Sequence, residues 1–94
     1  MGDSLQASEK GWGAAAHAVK AIAESRGWRH NSHRDLYRTI NRIAAETDSE
    51  DILDLFSTAN ALHQNFYEGW MEDENIERGL AGVQKLLDIL DEAA

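Results

Sequence analysis

NIERGLAGVQKLLDILDE, residues 75–92, carries the cleanest apolar period in a chain of 94 residues. Ile76, Leu80, Val83, Leu87 and Leu90 step by four, three, four and three, the spacing that lines one face of an α-helix. A one-faced helix must bury that face against other elements, and the same period recurs upstream. Residues 50–71 carry Ile52, Leu55, Phe56, Ala59, Leu62, His63, Phe66 and Trp70 on one stripe, with Thr47 and Glu50 as the starting cap pair. Residues 33–46 carry Leu36, Ile40, Ile43 and Ala44 behind Ser32, whose side chain is placed to accept the Asp35 amide. Residues 4–25 carry Leu5, Trp12 and Val19 every seven, with Ala15, Ala16, Ile22 and Ala23 filling the stripe and Gly27 as the stop. Asp73 or Asn75 caps the last segment. Nothing alternates with period two, so the chain reads as all-α, one domain over 1–94 with helices at about 4–25, 33–46, 50–71 and 75–92.

Short connections favour antiparallel neighbours, hence an up-down-up-down four-helix bundle. In the first helix Gly11, Gly13, Ala14, Ala15, Ala16 and Ala18 make a thin section. Each glycine costs a helix about 1 kcal/mol, and the return expected for that cost is a close helix–helix approach, which favours a dimer.

Composition excludes several chemistries. With no cysteine there are no disulfides, thiolate nucleophiles or cysteine-ligated zinc. No serine stands in a G-x-S-x-G setting, and no glycine-rich phosphate or dinucleotide fingerprint is present. No cofactor is expected. No run approaches the roughly 20 apolar residues of a membrane span, and MGDSLQASEK lacks a secretory pattern, so a cytoplasmic protein without a membrane partner is expected.

The net charge of −8 is unevenly spread. Residues 17–42 hold Lys20, Arg26, Arg29, Arg34, Arg38 and Arg42 against Glu24 and Asp35, whereas residues 43–94 hold Arg78 and Lys85 against thirteen acids. An acidic whole argues against broad non-specific DNA binding. The basic segment itself reads in two ways: arginines paired with acids of the body, or a local anion site.

An alternating bundle gathers Arg26, Trp28, Arg29, His30, His33 and Arg34 at one pole with His63, Asn65, Tyr67, Glu68 and Trp70. His63 lies on a core-facing stripe and needs a polar partner, from Tyr67 or from residues 30–34. It is either a hydrogen-bonded structural histidine or part of a pocket. His30-x-x-His33 with His63 or Glu68 has metal-like spacing, but no H-E-x-x-H helix supports it and Glu68 projects about 140° from His63; no metal site is expected. Trp12 and Trp70 read as packing residues, Trp28 as a loop aromatic that stacks on a base or folds over the bundle end. Asn65 and Glu68 read as facing solvent or a second subunit.

The run ASEKGWGAAAHAVKAIAESRGW, followed by HNSH and ANALHQNFYEGW, resembles the archaeal PaREP family of small helical proteins over roughly residues 7–90. That family is similar to the HEPN (higher eukaryote and prokaryote nucleotide-binding) superfamily. The resemblance implies a compact helical bundle, commonly dimeric, linked to RNA or nucleotides, and allows a nucleotidyltransferase partner. Active HEPN ribonucleases carry an arginine, four to six residues and then a histidine near a helix end. If His63 is that histidine, Thr58 stands where an arginine belongs, so the guanidinium that steadies phosphorane charge is missing. Arg26 and His33 meet the spacing only across a loop.

The expectation is therefore a non-catalytic, self-associating HEPN-like module that binds a nucleotide, RNA or protein partner at residues 26–34 and 63–70. Arg26, Arg29 and Arg34 would contact an anion, Trp28 would stack, and His30, His33, His63 and Tyr67 would shape the pocket. A metal-independent ribonuclease using His63 or His33 across a dimer, and a purely structural dimerising bundle, are the alternatives.

Overall fold

A computed structural model of the chain describes residues 2–93. Four helices account for the regular structure, and there is no strand among the described residues: α1 (Gly2–Ser25), α2 (His33–Thr47), α3 (Asp51–Glu68) and α4 (Asp73–Ala93). The expected segments are all present. No helix of the described residues is long and apolar enough to cross a membrane.

Helix ends follow local chemistry. Beyond α1 the Trp28 amide donates to the Ala23 carbonyl at 2.8 Å while Gly27 takes φ 74°, a left-handed stop that satisfies late carbonyls. Ser32 is extended and its Oγ accepts the Asp35 amide at 3.1 Å, capping α2 as its sequence predicts. Replacing Ser32 by alanine should lower stability by about 1 kcal/mol, read as a shifted urea midpoint at unchanged slope.

The junction between α2 and α3 departs from expectation. Thr47 does not open α3; it is the last residue of α2, its Oγ1 donating to the Ile43 carbonyl at 2.8 Å. Asp48 then turns left-handed (φ 55°), a conformation short polar side chains tolerate, and α3 begins at Asp51 without a side-chain cap on Glu50.

Helix direction is the larger correction. The up-down-up-down order would set the start of α1 beside the end of α4. Instead Ser4 Oγ donates to Asp73 at 3.0 Å, at the start of α4, and Arg26 donates to the Ala93 carbonyl at its end. α1 and α4 therefore run the same way. Ser8 meets Asn65 across from α3, so α3 runs opposite to α1. His33 at the start of α2 stacks on Trp12 in mid-α1, and Arg26 pairs with Glu46 near the end of α2. α2 thus runs parallel to α1. The reason is the connection: the residues between Gly27 and Ser32 do not form a tight reversal but lead back beside α1, and a helix entered that way repeats the direction of the one before it.

The core lies between α1, α3 and α4, with α2 laid over α1 and α3. Phe56, Ile40, Ile43, Ile52, Leu62, Leu86, Leu90 and Val19 are fully buried. On α4 the buried set is Ile76, Gly79, Val83, Leu86 and Leu90, with Leu80 and Leu87 only partly covered. The stripe is turned because Gly79 faces Leu62: a Cβ there would stand 2.9 Å from Leu62 Cδ2 and 3.2 Å from its Cγ. Gly11 plays the same part for α1, its missing Cβ falling 2.6 Å from Leu80 Cδ2. The thin section of α1 thus serves a close approach inside the subunit through Gly11, Ala15 and Ala16, while Gly13 and Ala14 stay exposed.

Two residues of α3 and its exit change sides. Asn65, read as exposed, is fully buried, and Trp70, read as a packing residue, is 53% exposed. Gly69 (φ 64°) ends α3 before Trp70, so the tryptophan leaves the helical stripe on which it was counted.

Candidate functional site

Since α2 runs parallel to α1, the expected single pole divides into two neighbourhoods joined by residues 28–32. The first lies at the end of α1. Trp28, half-buried, lies under two guanidinium groups, with Arg26 Cζ 5.0 Å and Arg42 Cζ 4.6 Å from the ring centroid. Contacts of this kind contribute about 0.5–1 kcal/mol at exposed sites. They make the indole a bed for arginines and leave it less free to stack on a base. Arg26 is further engaged by Glu46 and by the Ala93 carbonyl, which commits it to holding helix ends together.

Beside this tryptophan a cavity of about 250 Å³ is lined by Gly27, Trp28, Arg29, Asp35, Arg38, Thr39 and Arg42. Asp35, Arg38 and Arg42 are three and four residues apart, so α2 presents them on one face. Among the described residues Arg29, Arg34, Arg38 and Arg42 form no ion pair; the pairs found are Arg26–Glu46 and His63–Glu9. Asp35 already accepts the Asn31 amide through Oδ2 at 3.2 Å. Pairing of the arginines with acids of the body is therefore confined to Arg26. Arg34 is exposed on the first turn of α2 and lines neither this cavity nor the next.

The second neighbourhood is aromatic. Trp12 is only 8% exposed because His33, His63 and Phe56 surround it. His33 stacks on the indole (centroids 5.0 Å, interplanar 12°), and His63 lies 5.1 Å away at 30°. The two imidazoles are 5.6 Å apart, so the first junction and α3 do meet as expected. His63 is half-buried, and its Nδ1 donates to Glu9 Oε1 at 2.8 Å. Its polar partner is thus a carboxylate of α1 rather than Tyr67, whose ring, 72% exposed, offers an edge contact at 5.3 Å. The bond to Glu9 fixes the ring orientation and leaves Nε2 for another partner.

A cavity of about 170 Å³ opens over this group, lined by Trp12, Ala16, Lys20, His30, Asn31, Ser32, His33, Leu36 and His63. Trp12, Ala16 and Lys20 recur every fourth residue and form its α1 wall. Small Ala16, between two long side chains, leaves the notch. Among the described residues no group of three or more histidines and carboxylates has the geometry to hold a metal ion.

Of the residues singled out from the sequence, His30, His33 and His63 share one cavity, while Tyr67 touches the His63 ring and does not line that cavity. Trp28 and Arg29 share the other. Sequence reasoning passed over Glu9, counted Lys20, Arg38 and Arg42 in the basic segment without placing them at the pole, and assigned Trp12 to packing alone. The four-residue steps 12–16–20 and 34–38–42 were the signals for most of these; nothing local signals Glu9, which meets His63 across 54 residues.

No curated protein and no solved structure matches the chain significantly. Its own residues 1–87 match the model of one family, and the chain belongs to it: the Archaeal PaREP1/PaREP8 family.

Proposed function

We propose that this protein is a non-catalytic, HEPN-like helical module of the cytoplasm that self-associates and binds the phosphates of a nucleotide or short RNA along residues 26–42. The observation that carries this reading is the cavity beside Trp28, where Arg29, Arg38 and Arg42 stand around one carboxylate, Asp35, and form no ion pair among the described residues. Exposed guanidiniums on a rigid helix favour phosphate oxygens, because their planar donors match two acceptors at once. Long-range repulsion from the acidic body is screened within about 8 Å at physiological salt, so a local basic strip can act on an anion that touches it. Exposed Gly13 and Ala14 on α1 support close approach of a second copy.

Arg38→Ala with Arg42→Ala is expected to weaken binding of a fluorescent single-stranded oligoribonucleotide at least tenfold while leaving the unfolding midpoint nearly unchanged. Arg29→Ala with Arg34→Ala should weaken it less, since Arg34 stands outside the cavity. Wild-type affinity in the Arg38/Arg42 variant would remove the reading.

A further inference from the structure

The geometry points to a second ligand site, independent of the arginine strip: the histidine-lined cavity over Trp12 binds a phosphate group, as the free ion or as a small monoester. Its wall brings together Lys20 and the histidines His30, His33 and His63, contributed by α1, the segment entering α2, and α3. Lysine offers donors only, and an imidazole offers one N–H when neutral and two when charged. Asn31 and Ser32 add short polar groups at the mouth. A tetrahedral oxyanion, all acceptors, is the complement of such a wall. Two carboxylates adjoin the wall and both are engaged, Glu9 by His63 Nδ1 at 2.8 Å and Asp35 by the Asn31 amide at 3.2 Å, so they orient lining residues rather than standing free against the ligand.

The cavity volume of about 170 Å³ accommodates a phosphate group. Ala16 and Leu36 supply an apolar side against which an ester substituent can lie. His33 is held flat on Trp12 at 12° between planes, which presets one donor before a ligand arrives.

The test is a titration of the intact protein with inorganic phosphate and, separately, with phenyl phosphate, followed by calorimetry and by the imidazole proton resonances. Saturable binding of either probe is expected, with shifts at His33 and His63; the tighter probe identifies whether the free ion or the ester is preferred. Lys20→Ala with His33→Gln should weaken it at least tenfold. Both positions are exposed, Lys20→Ala alone leaves the His33 stack on Trp12 in place and should also weaken binding, and His63→Gln, which disturbs the Glu9 contact, is not needed. Arg38→Ala with Arg42→Ala should leave the shifts at His33 and His63 unchanged. The inference is overturned if neither probe saturates those shifts, if Lys20→Ala with His33→Gln keeps the wild-type midpoint at His63, or if the Arg38/Arg42 variant loses the shifts instead. The oligoribonucleotide titration stands apart from all three outcomes, so either site can fail without the other.

Discussion

Asn65→Ala should cost about 3 kcal/mol, because two polar partners lose their bonds at roughly 1–3 kcal/mol each. Asn65 Oδ1 accepts the Met71 amide at 2.7 Å, and Nδ2 donates to Ser8 Oγ at 3.1 Å, with Ser8 in turn donating to the Ser4 carbonyl. One fully buried amide thus ties the exit of α3 to the first turns of α1. For a chain of this size, that loss corresponds to a melting temperature lower by roughly 12–24 °C. Thermal unfolding by circular dichroism reads it directly. In a double-mutant cycle with Ser8→Ala the double variant should lose less than the sum of the two single losses, since removing both members leaves fewer orphaned groups. A loss below about 1 kcal/mol would show that water replaces the amide, and the helix ends would then be held by packing alone.

Phe56→Ala is expected to cost about 3–5 kcal/mol, the usual range for emptying a buried aromatic site. Phe56 has no exposed surface and touches Trp12 at 5.5 Å and Tyr37 at 4.9 Å between ring centroids. It therefore supports the tryptophan on which His33 rests. Besides the stability loss, the near-ultraviolet circular dichroism of the tryptophans should weaken, reporting a looser indole. A variant that is destabilised but keeps that signal would show Trp12 to be held by the histidines and not from behind.

Much of the helical fold is legible in the sequence, because burial imposes period 3.6 on Val19 and Ile22, on Ile40 and Ile43, and on Phe56 and Leu62. The Ser32 cap is legible for a similar local reason: it needs only a hydroxyl and an amide three residues on. Direction is not legible. Whether residues 27–32 reverse the chain or lead it back depends on what they pack against, and that is a tertiary matter. Asn65 misleads because an amide that is fully paired can be buried, whereas sequence patterning treats it as solvent-seeking. Trp70 misleads in the opposite sense, since Gly69 ends the helix one residue before it. At the site, His33 and His63 were brought together by the right elements for a wrong reason. They meet beside mid-α1 rather than at the end of a bundle, and Glu9 and Lys20 enter the group because that part of α1 is where α2 begins.

The shared direction of α1, α2 and α4 also has an electrical side. Each helix carries roughly half an elementary charge at its termini, positive at the amino end. In an alternating bundle these cancel; three rods pointing one way against one leave about a full charge uncancelled across a molecule 39 Å long. The negative ends of those three converge where Arg26 reaches Glu46 and the Ala93 carbonyl, and among the described residues no helix has a basic residue in its own last turn. The Arg26 guanidinium thus bridges the ends of two co-directed helices, while its charge is balanced by Glu46 and the end polarity itself stays uncancelled.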